Sequence, residues 1–291
     1  MTDTTPHRTL DVPGATIAYD VRGPLPTADG RPPLVLIGQP MDARGFGTLA
    51  SYFPDRTVVT YDPRGIGRST RHDGLTVHDP AVQAQDLHAL VTELGGGPVD
   101  LLGSSGGAVT ALAWVTAYPQ DVRTVVAHEP PMIALLDDAD HARDAFARVD
   151  AAYQAHGWGV GMAAFIMMTS WQGPFPAGFL TDLPDPAQFG LPAQDDGSRD
   201  DPLMSGASAP VTAFVPDVAA LREAPTRVVP AAGIESEGII TWRTTHALAD
   251  RLGAQVAVFP SNHGGFMGDE YGMPGQPEAF AARLREVLAE A

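Results

Sequence analysis

The sequence predicts an α/β protein built on a mostly parallel central sheet of about eight strands flanked by helices. Two observations carry that expectation. Apolar runs at Leu34 to Ile37, Val58 to Tyr61, Val99 to Leu102 and Val122 to Ala127 do not alternate polar with apolar, as befits strands buried on both faces. Helical patterns separate them at Asp42 to Tyr52, Asp79 to Leu94 and Ser105 to Tyr118, the middle one opened by Asp79 and Pro80 as a cap and first-turn pair.

Ahead of this series, Thr9 to Val21 reads as two strands joined through Pro13 and Gly14, an antiparallel hairpin at one edge. From about Pro130 the alternation stops. The chain turns helical around Asp140 to His156 and Val160 to Met168, then becomes proline-rich and loop-like from Pro174 to Pro202. The βα pattern resumes with a strand at Arg227 to Ala232, a helix near Thr241 to Leu252, a strand at Gln255 to Phe259 and a last helix at Pro277 to Ala289. Residues 1–129 and 225–291 are therefore expected to form one core, with 130–224 a helical cap inserted after the sixth strand.

At 291 residues and 44% hydrophobic content, the chain can bury one large core. Net charge is −17 and all 18 basic residues are arginine, a balance that repels phosphate backbones and anionic lipid heads. Neither a nucleic-acid nor a membrane partner is expected; a small-molecule substrate is, and the composition leaves room for a homodimer. With no cysteine, disulfides, thiolate nucleophiles and Cys-ligated zinc are excluded. The start MTDTTPHRTL lacks the charged and apolar regions of a secretory signal, and no apolar run spans a bilayer, so a cytoplasmic location is expected. The Ala, Gly, Pro and Arg bias suits a GC-rich bacterial genome.

The chemistry centres on LLGSSGGAV, Leu101 to Val109. Three glycines after an apolar strand would each weaken a strand or helix by roughly 0.5 to 1 kcal/mol relative to alanine, so something other than local stability demands them. Gly103-Ser104-Ser105-Gly106-Gly107 between a strand and a helix is G-x-S-x-G, a nucleophile elbow. Ser105 is the expected nucleophile. The helix starting behind it aims free N–H groups at any developing anion, with Gly106 N–H one oxyanion donor.

A serine hydroxyl needs a base, expected later in the chain on a loop beyond a strand. His263, in VAVFPSNHGGF, meets that order; His128 and His246 are the competitors, the second inside an expected helix. The serine, histidine and carboxylate together form the expected catalytic triad, which requires neither cofactor nor metal. The acidic run Ala193 to Asp201 lacks the spacing of a calcium loop and reads as a solvated loop.

With these residues in place, the chain resembles the α/β-hydrolase superfamily across nearly its whole length, and is similar to its capped bacterial members, among them esterases, lactonases and perhydrolases. Asp62-Pro63-Arg64-Gly65-Ile66-Gly67-Arg68-Ser69 is similar to that family's D-x-R-G-x-G-x-S turn, whose role is architectural. The family usually carries His-Gly after the third strand. Here Leu36-Ile37-Gly38-Gln39-Pro40-Met41 stands instead. Pairing Gly38 with the family glycine makes Gln39 N–H the second donor of the oxyanion hole; a shift by one selects Pro40, which has no N–H to give, and Met41 is the fallback.

The resemblance places the orienting acid after the seventh strand, where Glu235 and Glu237 stand, or, as in haloalkane dehalogenases, after the sixth, where Glu129 precedes Pro130 and Pro131. Glu129 has a physical claim of its own, because a carboxylate at a buried strand end is costly without a partner. Phe165, Met167, Met168, Trp171, Phe175 and Phe179 of the cap, with Met41, supply candidate substrate contacts, Trp171, Phe165 and Met168 foremost. The expected activity is a carboxylic ester hydrolase acting on a small to medium apolar ester, thioester or lactone. A C–C bond hydrolase or perhydrolase using the same triad, and a catalytically silent ligand-binding protein, are the alternatives.

Overall fold

In a computed structural model of the chain, residues 7–272 and 274–290 are described. They form a nine-stranded sheet in the order β1-β2-β4-β3-β6-β7-β8-β9, with β5 paired to β2. The hairpin β1 (His7–Val12) and β2 (Ala15–Arg22) is antiparallel and turns at Gly14, whose φ of 78° needs a residue without a Cβ. β2 runs antiparallel to β4 (Val58–Tyr61) and to β5 (Thr70–Arg71). From β4 onward β3 (Leu34–Gln39), β6 (Val99–Ser105), β7 (Val122–His128), β8 (Arg227–Gly233) and β9 (Ala257–Phe259) are all parallel.

The unpatterned apolar runs explain themselves in the packing. In β3, Val35 and Ile37 join one buried cluster while Leu34 and Leu36 join another on the opposite face; Leu101 and Leu102 of β6 divide the same way. The first cluster is roofed by α2 (Pro80–Glu93), α3 (Gly106–Ala117) and α8 (Ile240–Leu252), and the second by α1 (Gly47–Ser51) and α9 (Pro277–Ala289). Fully burying one such Leu or Val contributes about 1.5 to 3 kcal/mol. Asp79 caps α2 as expected, its carboxylate accepting from Ala81 N–H at 2.8 Å.

The mostly parallel sheet is as expected; its ninth strand, the two-residue β5, carries no sequence signal of its own. For the same reason the long segment after the fourth parallel strand follows the seventh strand in chain order and not the sixth. Between β7 and β8 lie α4 (Ala139–His156), α5 (Trp158–Thr169), α6 (Ala209–Thr212) and α7 (Val218–Glu223), with no strand among them. Ala142, Val149, Tyr153, Met168, Phe175, Phe179 and Met204 form a third buried cluster there, whereas Val211 and Leu221 pack into the first. The short α6 and α7 were not anticipated from the sequence.

No helix among the described residues is long and apolar enough to cross a membrane.

Candidate active site

Ser105 ends β6 and precedes α3 with φ 56° and ψ −129°, a backbone conformation that is costly for a residue with a Cβ. The surrounding glycines are required by close approach. A Cβ on Gly107 would stand 2.5 Å from the Ile37 carbonyl, one on Gly103 2.8 Å from the Gly107 carbonyl, and one on Gly106 2.8 Å from the Gln39 carbonyl. The first turn of α3 thus lies directly against β3, which brings Gly106 beside Gln39. Strand register agrees, with Gln39 opposite Ser105.

Gln39 is buried and faces two cavities that meet at Ser105. Its side chain is held from behind: Gln83 Nε2 donates to Gln39 Oε1 at 3.2 Å, and Thr110 Oγ1 donates to Gln83 Oε1 at 2.8 Å. The backbone N–H groups of Gln39 and Gly106 thus come from adjoining segments beside the serine. Met41, the fallback, packs against Gly38 and Gly45 and lines only the larger cavity.

His263 lies beyond β9, and Ser105 and His263 line both cavities. Its Nδ1 and Glu129 Oε2 are 2.6 Å apart, so the ring donates from Nδ1 and keeps Nε2 as an acceptor. Glu129 is completely buried at the end of β7, with φ 51°. Its Oε1 accepts from Gly233 N–H at 2.9 Å and its Oε2 also accepts from Thr241 Oγ1 at 2.7 Å. Burial pushes this carboxyl up, but the hydrogen bond and charge of His263, with His128 and Ser236, outweigh it and hold the group well below the usual carboxylate range.

Of the three candidate acids, Glu129 is the one that meets His263, and Glu237 and Glu235 do not. Both are exposed, and Glu235 instead accepts from Gln276 Nε2 at 3.1 Å and Ser261 Oγ at 3.4 Å. The competing histidines are accounted for. His246 sits on α8 with Nδ1 2.9 Å from the Trp242 carbonyl. His128 is buried in a cage of Phe259, Phe266 and Phe280, with Nδ1 3.2 Å from Ser104 Oγ, and burial lowers its pKa to about 4.

The two cavities measure about 590 and 1210 Å³. Of the four proposed contacts, Phe165 lines both and Met41 one. Met168 and Trp171 line neither: Met168 is fully buried in the third cluster, and Trp171 packs on Phe179 with its indole N–H on the Pro174 carbonyl. The reason is that α5 is apolar on every side, so its sequence could not distinguish the packed face from the open one. The open face carries Trp158, Met162, Phe165 and Thr169.

Thr241 and Gly233, which complete the Glu129 cradle, carried no sequence signal; they stand more than a hundred residues away in the chain. Arg64 and Arg68 fix the turn after β4 through Asp86 and Asp62, and Asp62 also accepts from Ala43 N–H, the architectural role expected there. Among the described residues, no group of three or more His, Asp or Glu side chains is placed to hold a metal ion.

Residues 36–156 match the family described as alpha/beta hydrolase fold. An uncharacterized hydrolase of Bacillus subtilis (strain 168), YraK, is 27% identical over 263 residues, covering 89% of each chain. A thermophilic esterase from Thermogutta terrifontis superposes with a TM-score of 0.64 at 21% identity, over 97% of this chain and 98% of that one. An esterase from Exiguobacterium antarcticum gives 0.65 at 17% identity, over 96% and 97%. The matched segment contains the Ser105 elbow and Glu129, and the chain has the α/β-hydrolase fold.

Proposed function

We propose that this hydrolase cleaves a small to medium apolar ester, thioester or lactone through an acyl-enzyme on Ser105. The observation that carries the reading is the buried Glu129–His263 pair opening onto the cavity wall that holds the strained serine. His263 Nε2 takes the Ser105 proton as Oγ attacks the carbonyl carbon. The oxyanion is received by the N–H groups of Gly106 and Gln39, and Glu129 stabilises the imidazolium that forms.

His263 then returns the proton to the departing alcohol or thiol, which leaves the acyl group on Ser105. Water, deprotonated by the same nitrogen, releases the acid. The mainly apolar walls of both cavities suit an acyl group on one side of Ser105 and a leaving group on the other. Residues 130–224 act in this reading as a cap that keeps bulk water from the ester.

The test is hydrolysis of p-nitrophenyl esters from acetate to decanoate beside Ser105→Ala. Turnover of order 1 per second or faster is expected, falling by about 10⁴-fold or more in the variant. A wild-type protein that neither turns over these esters nor labels with a fluorophosphonate overturns the reading.

A further inference from the structure

The two cavities that meet at Ser105 differ in charge. The larger is bordered by three arginines, Arg44, Arg71 and Arg199, beside two carboxylates, Asp42 and Asp200, and each arginine is held by an aspartate: Asp42, Asp73 and Asp195 in turn. The smaller is bordered by two carboxylates, Asp150 and Glu235, and by no arginine among the described residues. Glu235 is exposed and already engaged by Gln276 and Ser261.

Asp150 is different. It lies on α4 one turn after Phe146, and both face the smaller cavity. Two other acids on this helix pair with arginines on its exposed side, Asp140 with Arg143 and Asp144 with Arg148. No hydrogen bond or ion pair reaches Asp150 from the described residues, and burial alone pushes its carboxyl up to about 6. An unpaired, half-buried carboxylate on the wall of a reaction chamber is costly to keep and gains most from a cation brought to it.

We propose that the smaller cavity receives the part of the substrate that carries a positively charged ammonium group, paired with the Asp150 carboxylate while its alkyl or aryl stem packs on Phe146 and Phe165. A neutral acyl chain of the same shape would pack on the apolar walls but strip water from Asp150 with no charge pair in return, and an anionic one would be repelled, so one residue both ranks and excludes substrates. The strongly acidic chain, at −17, attracts the same class of substrate from solution. The inference rests on the Ser105 reading for the bond that is cut, but not for the binding itself.

The experiment compares p-nitrophenyl ε-aminohexanoate with the matched p-nitrophenyl heptanoate in the wild-type protein, Asp150→Asn and Asp150→Glu, and titrates hexylammonium chloride against 1-hexanol by calorimetry. Wild type is expected to favour the aminohexanoate in kcat/KM by about tenfold or more, Asp150→Asn to bring the ratio to one or below, and Asp150→Glu to keep a preference. Hexylammonium affinity should drop by about tenfold in Asp150→Asn while hexanol affinity does not follow it. An ester ratio that is the same in wild type and Asp150→Asn, or equal hexylammonium binding by both, overturns the proposal. Asp150-dependent hexylammonium binding with neither ester cleaved upholds the cation site and refutes the ester hydrolase reading instead.

Discussion

Two neighbouring strands end in the same backbone departure. Ser105 closes β6 at φ 56° and Glu129 follows β7 at φ 51°, and the residues before them, Ser104 and His128, are register partners. Each conformation costs of order 1 to 3 kcal/mol in a residue with a Cβ. The two turns use that strain for opposite ends. At Ser105 the helix folds back against β3 and lifts a half-buried hydroxyl into the cavities; at Glu129 the chain leaves through Pro130 and Pro131 and drives a charge out of water altogether. One turn exposes the proposed nucleophile and the other buries the carboxylate that meets His263. What differs is the compensation: close glycine packing at the first, three hydrogen bonds at the second.

Glu129→Gln tests the second turn most severely. The amide keeps the volume but must turn an NH₂ toward groups that now donate, either Gly233 N–H or Thr241 Oγ–H and His263 Nδ1–H together. If it meets His263, the ring takes the wrong tautomer and Nε2 can no longer accept the Ser105 proton. A loss of about 10⁴-fold in kcat is expected, together with about 1 to 3 kcal/mol of stability in urea unfolding. A fall of less than tenfold would show that another acid orients His263, and Glu235 on the cavity wall would become the one to mutate next.

His128, the residue just before Glu129, gives a smaller effect with a defined pH window. Burial lowers its pKa from 6.5 to about 4, so the folded chain leaves it neutral where the unfolded chain takes up a proton. Stability from this group is complete above pH 6.5 and is lost as pH falls from there toward 4, at up to about 1.4 kcal/mol per unit. His78, lowered to about 4 by burial and by Arg71, adds a second proton over the same range. Stability of His128→Asn measured across that window should therefore show a slope shallower by one proton. An unchanged slope would mean that the cage of Phe259, Phe266 and Phe280 admits enough water to charge the ring.

The contrast between the turns also explains what was legible in the sequence. Close approach of α3 to β3 tolerates only glycine, so Gly103, Gly106 and Gly107 mark the first turn in plain text. Chain order then singled out His263. The second turn carries no such glycine mark, since Glu129 stands between His128 and Pro130. Its partners arrive from Gly233, Thr241 and His263, which only folding brings together, and so Glu129, Glu235 and Glu237 read alike. The same limit applied on α5, where an apolar surface on every side hid the difference between Phe165 in the cavity and Met168 in the packed cluster. Strands buried on both faces were read with their ends within three residues; the two-residue β5, paired only to β2, was not.

The smallest expected effect isolates the strain itself. Replacing Ser105 by alanine removes the hydroxyl but leaves a Cβ at φ 56°, whereas replacing it by glycine removes both. Glycine loses roughly 0.5 to 1 kcal/mol through its freer unfolded chain, against the 1 to 3 kcal/mol recovered where a Cβ is disfavoured. Ser105→Gly should therefore be more stable than Ser105→Ala by about 1 kcal/mol in urea unfolding, with both expected to be inactive. At the second turn glycine should instead fall below the wild type: Glu129→Gly also relieves a positive φ, but strands three buried donors, each worth about 1 to 3 kcal/mol when left unpaired. If both glycine variants gain stability, the hydrogen bonds around Glu129 contribute less than the backbone strain they accompany. If neither does, the elbow is relaxed by its surroundings, and the serine is held out by the packing of Gly107 on Ile37 alone.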